Sequence, residues 1–192
     1  MPANKVITKE LILKESFQMV RERGMDGLNV RELAKRCKCS TQPIYLSFSG
    51  MDEIKVEVAK MAMQHFFKFV ENEMAKKEYP EYKAIGMGYI KFAVEETELF
   101  KYLFMRNRTE EDGFEKDSYE KSVFVIMKNY GLYSEQAYTI HSEMWVFVHG
   151  IATMFATGYL DWDWKTVSNM VSDVYQGLLL RIKQGEKNDN TN

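Results

Sequence analysis

Proline is scarce in this chain of 192 residues, with only Pro2, Pro43 and Pro80. Long stretches are therefore free to be helical, and no strand-like alternation or internal repeat competes with that reading. Cysteine is scarcer still: Cys37 and Cys39 lie one residue apart, too close to staple a small secreted fold. That spacing, and an N-terminus whose apolar stretch is interrupted by Lys5, Lys9, Glu10, Lys14 and Glu15, point to a reducing, cytoplasmic setting. Charge of one sign is lacking too, since 26 Lys and Arg face 28 Asp and Glu. With 45% hydrophobic residues, this excludes a disordered polyelectrolyte and leaves an ordinary globular composition. A membrane-length run is also missing. The uncharged stretch MWVFVHGIATMFATGYL between Glu143 and Asp161 has 17 residues. It spans roughly 25 Å as a helix, short of the ~30 Å hydrocarbon core. It also carries His149, Gly150, Thr153 and Gly158, so it reads as a helix buried in protein.

Histidine is the last scarcity, with His65, His141 and His149 alone. His141 and His149 are eight apart and can share a helix face near Glu143, but no metal-ligand spacing accompanies them. Cys37-x-Cys39 lacks partners for zinc. No glycine-rich phosphate loop or nucleophile elbow occurs. The sequence therefore calls for no catalytic residue, metal or cofactor, and an enzyme is the least favoured class.

What is present is a division of charge. Residues 1–50 hold nine Lys and Arg against five Asp and Glu, whereas the rest holds 17 against 23. A basic head on an acidic body suggests that the head meets a polyanion. The head reads as three helices. Thr8 is an N-cap for a helix from about Lys9 to Arg23 with Leu13, Phe17 and Val20 inward, closed by Gly24 and Gly27. Asn29, with Glu32 three residues on, caps a second helix from Val30 to about Cys37 that buries Leu33, Ala34 and Cys37. Ser40 is the expected cap of a third, Thr41 to about Leu46, with Pro43 in its first turn and Ile44 and Phe48 toward the core. Two short helices about a tight turn, after a longer support, match helix-turn-helix geometry. The last of them would enter a major groove with Ser40, Thr41 and Gln42 leading, and Gln can pair bidentately with adenine. A three-helix bundle with no DNA role has the same spacing.

The stretch ILKESFQMVRERGMDGLNVRELAKRCKCSTQPIYLSFSGMDEI resembles the DNA-binding head of the TetR family. The shared elements are Gly24-x-x-Gly27-Leu28, Val30-Arg31-Glu32-Leu33-Ala34, Ser40, and Ile44-Tyr45-x-x-Phe48. The resemblance implies an all-α homodimeric regulator, usually a repressor, with a DNA-binding head over 1–51 and an effector-binding, dimerising helical domain over 52–192. By the same resemblance Thr41, Gln42 and Pro43 occupy the main reading positions, Ser40 and Tyr45 phosphate positions, and Arg31 a position that reaches base or phosphate. Tyr45 could instead be a core-edge aromatic, and Arg31 could pair with an acid. Three positions depart from the family pattern. Lys38 stands where Gly is usual and, if left-handed, costs roughly 1 kcal/mol while lying near the phosphates. Ser47 replaces a frequent aromatic or His, and Met51 replaces a phosphate-touching Lys. The alternative they support is a helical small-molecule-binding protein of the same fold with weakened or lost DNA binding.

The body reads as a helical bundle. A helix from Asp52 to about Lys77 shows two apolar stripes, one through Ile54, Val58, Met61, Phe66 and Phe69, the other through Val56, Ala59, Met63, Phe67 and Val70. Beyond Pro80 a helix from about Glu81 to Glu96 turns Ile85, Tyr89, Phe92 and Ala93 inward, and an apolar segment follows from Leu99 to Met105. Residues 106–118 read as an exposed loop. Further helices are expected from Tyr119 to Tyr130, Ser134 to Thr157 and Trp164 to Lys183, with a disordered tail. Trp145-x-x-x-His149-Gly150 resembles the Trp-His-Gly signature of one TetR subgroup. A small lipophilic effector is expected among Phe66, Phe69, Tyr89, Phe92, Phe100, Leu103, Met127, Trp145 and His149, because ligand sites are mostly apolar with a few polar anchors. On the last helix Val167, Val171, Val174, Leu178 and Ile182 form the expected core stripe. Leu179 beside it is assigned to a two-fold seam formed by the last two helices.

Overall fold

The structure is a computed structural model that describes residues 7–106 and 114–189, with side chains over 7–106 and 119–185. The described residues form only helices: α1 (Lys9–Arg23), α2 (Val30–Cys37), α3 (Gln42–Ser47), α4 (Met51–Ala75), α5 (Glu81–Glu95), α6 (Thr97–Phe104), α7 (Phe114–Tyr130), α8 (Ser134–Ala156) and α9 (Trp164–Asp189), with a single 3-10 turn at Met25–Gly27. They divide into two compact units, residues 1–68 with 95–106, and residues 69–94 with 107–192. The first unit thus contains the three head helices, most of α4, and α6.

In the first unit the head helices begin where the sequence places their caps. The Thr8 hydroxyl accepts from Leu11 N at 3.2 Å, and Asn29 Oδ1 accepts from Glu32 N at 3.0 Å. The Glu32 carboxylate turns away to Lys35, so only one half of the capping box forms. The buried positions of α1 are Ile12, Ser16, Met19 and Val20, one position back from the expected Leu13 and Phe17, which are half-buried. Ser16 can take a core place because its hydroxyl donates to Ile12 O at 2.7 Å. On α4 the buried stripe within this unit runs Ile54, Val58, Ala62 and Phe66, four apart, while Val56 of the second expected stripe is exposed.

The second unit is built about α5, buried at Ala84, Met87, Gly88, Tyr89, Ile90, Phe92 and Ala93. Gly88 permits a close crossing: a Cβ there would stand 3.4 Å from Val70 Cα and 3.4 Å from Glu73 Cβ. Two expected boundaries are corrected. Helix α7 starts at Phe114, inside the expected loop, because the run Phe114-Glu-Lys-Asp-Ser contains charge but no Pro or Gly to stop a helix. Residues 107–113 of that loop lie outside the described residues. Helix α9 continues through Asp189, past the expected end at Lys183, and only 190–192 of the tail fall outside. The buried stripe of α9 is also corrected, to Val167, Val171, Tyr175 and Leu179; Val174, Leu178 and Ile182 are half-buried. Leu179, only 3% exposed, belongs to the core of its own chain and not to a seam. No helix of the described residues is long and apolar enough to cross a membrane.

Candidate nucleic-acid interface and effector-site residues

Helix α2 ends in a left-handed residue. Lys38 has φ 57° and ψ 46°, as expected for the position where the family pattern has Gly. Its amide donates to Lys35 O at 3.1 Å and the Cys39 amide to Ala34 O at 3.0 Å, a Schellman ending that satisfies the last carbonyls of α2. The ending occupies Cys39, so the chain needs another residue before it turns. The N-cap of α3 is therefore Thr41 and not Ser40, and no side chain bonds there. The Thr41 carbonyl accepts from Ile44 N at 3.2 Å and from Tyr45 N at 3.3 Å.

Ile44 and Phe48 fix α3 by burial and leave its other faces outward. Ser40 and Gln42 are exposed, Thr41 and Pro43 half-buried, and Tyr45 is 54% exposed. The Ser47 hydroxyl donates to Pro43 O at 3.0 Å and is spent within the helix. Sequence reasoning passed over Leu46, which is 80% exposed. The signal was available, since Leu46 lies four residues beyond Gln42 on the same helix face.

The cations of the head fall into two groups. Lys9 pairs with Glu53 at 3.0 Å, Arg21 with Glu96 at 2.5 Å, Lys35 with Glu32 at 2.5 Å, and Arg36 with Glu22 at 2.7 Å and Glu15 at 3.4 Å. Lys14 and Arg23 on α1, and Arg31 and Lys38 at either end of α2, are exposed and join no ion pair among the described residues. Around Met51, where a lysine was expected by family pattern, Glu53 closes the corner instead. It accepts from Ser49 N at 2.7 Å and from Lys9 Nζ at 3.0 Å, bonds that hold its carboxyl down at about 2.

Beneath this surface lies a network that the sequence did not reveal. Glu96, 5% exposed, receives Arg21 Nε at 2.6 Å and Arg21 Nη2 at 2.5 Å, while His65 Nε2 stands 3.0 Å from its Oε1. Residues 75 and 31 apart in sequence leave no local pattern to read.

The expected effector residues are divided between the units. Phe66, Phe100 and Leu103 are buried in the first, where Phe104 meets Phe66 edge-on at 5.0 Å and lies tilted against Phe100 at 5.4 Å. In the second, Phe69 meets Phe92 edge-on at 5.4 Å, and Met127 is half-buried on α7. Tyr89, Trp145 and His149 come together: Tyr89 Oη lies 2.9 Å from His149 Nδ1, and the Trp145 ring stacks on His149 at 5.2 Å. A matching pair joins Tyr82 Oη to His141 Nδ1 at 2.9 Å. Burial holds the His141 imidazole neutral, down at about 4, and pushes the Tyr82 phenol well above its usual range. Each imidazole thus faces a phenol, and among the described residues no three His, Cys, Asp or Glu side chains gather as a metal site would need.

Two family models match the chain: bacterial regulatory proteins of the tetR family over residues 12–58, and the tetracyclin repressor-like C-terminal domain over 82–173. The chain belongs to the TetR family of DNA-binding transcriptional regulators. The C-terminal match includes Trp145, His149 and Gly150. No curated protein sequence matches this TetR-family chain. Among solved structures, it is similar to a protein of unknown function from Rhodococcus sp. RHA1, with TM-score 0.71, 19% identity, and 92% and 97% of the two chains covered. A transcriptional regulator from the same organism gives TM-score 0.63 at 17% identity, covering 91% and 97%. The fatty acid degradation regulator FadR from Bacillus halodurans gives 0.56 at 16%, covering 92% and 96%. At such identities these likenesses speak for the fold.

Proposed function

We propose that the chain acts as a homodimeric repressor that binds a palindromic operator and is released by a small lipophilic effector. The observation that carries the DNA half is the outward face of α3, with Gln42 and Tyr45 exposed, together with the exposed cations Arg31 and Lys38 at the two ends of α2. This is the arrangement a helix-turn-helix needs to set polar side chains on base edges and cations on phosphates. A gel shift against the DNA upstream of its own gene tests it. Specific retardation that weakens steeply between 50 and 200 mM salt is expected. Retardation no different from that of scrambled DNA removes the reading and leaves a helical binding protein.

Dimerisation is supported by the outward faces of α8 and α9. Val146 is 65% exposed and Met154 43%, and a Cβ on Gly150 or Gly177 would meet nothing within 4 Å in its own chain. Soluble monomers rarely leave such faces open. A two-fold pairing of α8 and α9 would cover them and give a palindrome its two heads. Val146→Arg is expected to yield a monomer by sedimentation and to lose operator binding; an intact dimer in that variant would place the seam elsewhere.

For the effector, Tyr89, Trp145 and His149 combine a flat π surface with a polar pair, which suits a planar lipophilic molecule with one hydrogen-bonding group. The ligand would favour a spacing of heads that no longer fits major grooves ~34–36 Å apart. Trp145→Ala should abolish the response to effector and spare DNA binding; an unchanged response would remove Trp145 from the site.

A further inference from the structure

The reading face of α3 is neutral. QPIYLS contains no Asp, Glu, Lys or Arg, and the apolar Leu46 on it is 80% exposed. An isobutyl group can neither donate nor accept a hydrogen bond and has no attraction for a phosphate. In a major groove it has one complementary surface, the C5-methyl of thymine. Gln42 and Leu46 are four residues apart on one face, about 6 Å along the helix axis, less than two base-pair steps. Both are held outward by the burial of Ile44 and Phe48 on the opposite side.

Resting on the reading of α3 as the element that enters DNA, we infer that Leu46 is a specificity-determining residue that reads a thymine methyl in each half-site. The occupant of this exposed apolar position is double-stranded DNA. Leu46 shares the outward side of α3 with Gln42 and Tyr45, and the head also exposes Arg31 and Lys38 at the two ends of α2, neither paired with an acid among the described residues. Leu46 adds selectivity for an A·T pair without adding to the salt dependence, which Arg31 and Lys38 supply. The operator then carries a thymine within two base pairs of the position that Gln42 reads.

The test removes the methyl and nothing else. The full-length protein selects duplexes from a random pool, and thymines of the selected site are replaced one position at a time, in both half-sites together, by deoxyuridine. One replacement should weaken binding about fourfold per half-site, about 15-fold for the pair, the worth of one buried methyl. Leu46→Ala, at an exposed position with no core role, should bind the site and lose that penalty. Gln42→Ala should keep the penalty while relaxing preference at a different base pair. Selective binding that no deoxyuridine weakens overturns the inference alone. A penalty that persists in Leu46→Ala also overturns it and assigns the methyl to a neighbour such as Pro43. Failure to enrich any sequence overturns the DNA-binding reading itself, and this inference with it.

Discussion

In the first unit the buried carboxylate of Glu96 is answered by a guanidinium and an imidazole, whereas in the second the buried imidazole of His141 is answered by a phenol. The first solution is ionic and joins α1 to the start of α6. The second is neutral and joins α5 to α8. An ionic pair fixes position strongly but leaves a costly charge if one partner goes. A neutral pair costs less to break, yet it can be charged from outside by acid. Under the proposed function the head holds a reading helix in register and the body accepts an effector, and each solution suits its unit. The Lys91–Glu73 pair at 2.6 Å shows that ionic burial is not absent from the second unit, where it ties α5 to the end of α4.

The largest expected effect comes from breaking the ionic side. Arg21→Met leaves the Glu96 carboxylate buried with only His65 beside it and should cost about 3 kcal/mol in urea unfolding, toward the lower end for a buried pair because Arg21 is 43% exposed. A loss under 0.5 kcal/mol would mean that the pair does not anchor α6 to the head.

The neutral side should respond to pH instead. The His141 imidazole is held at about 4 by burial, below the ordinary 6.5, so the unfolded chain takes up its proton first as pH falls. This contribution is complete above pH 6.5, declines as pH drops toward 4, and amounts to about 3 kcal/mol over that window. Urea midpoints between pH 7 and 4.5 should fall more steeply in the parent chain than in His141→Gln; equal slopes would mean that His141 is not buried as a neutral base.

A smaller effect is expected at Tyr175. Among the described residues its hydroxyl is buried with no partner in hydrogen-bond geometry; the Tyr130 phenol, whose ring lies 5.8 Å away, and the Tyr82 ring at 5.0 Å stand beside it, and burial pushes its phenol above the usual range. Tyr175→Phe should raise stability by about 1 kcal/mol in the effector-free protein, since the unpaired oxygen carries a desolvation cost. A clear loss of stability would show that the hydroxyl is satisfied.

The smallest effect is at Lys38. Lys38→Gly relieves the left-handed strain and should stabilise the head by about 0.5 to 1 kcal/mol while lowering the salt slope of DNA binding by about one per subunit. A more stable head with an unchanged slope would place Lys38 away from the phosphates.

How much of this was legible in the sequence follows the range of the interactions. Thr8, Gly24 and Asn29 act on backbone groups within five residues, and they mark both ends of α1 and the start of α2 directly. Ser40 misled because the Schellman ending of α2 uses the residue before it, which moves the cap of α3 to Thr41. The far boundaries differ for another reason: charge at 114–118 reads as loop and the polar run from 185 as a disordered tail, though Glu and Lys continue a helix nearly as readily as Leu does. On α9, apolar periodicity alone did not say which of two adjacent rows faces inward. Tyr175 decided it by reaching the Tyr82 ring, which leaves Val174 and Leu178 at the edge and Leu179 in the core. Among the candidate site residues, those of α2 and α3 fall in one region because they lie within 17 residues of one another. The effector set comes from helices far apart in sequence, and the structure brings together Tyr89, Trp145 and His149 in one group and Phe69 with Phe92 in another, while Phe66, Phe100 and Leu103 fall in the other unit.

The central claim is that the neutral face of α3 reads DNA as part of a two-fold pair. Selection by the full-length protein from a pool of random duplexes, with the protein-to-duplex ratio of the selected complex measured by sedimentation, tests it most directly. The account predicts enrichment of one inverted repeat with half-site centres about 10 base pairs or a multiple apart, bound by an even number of chains, and relaxed at one base pair per half-site by Gln42→Ala. No enrichment, or enrichment of an asymmetric site bound by a single chain, would contradict it.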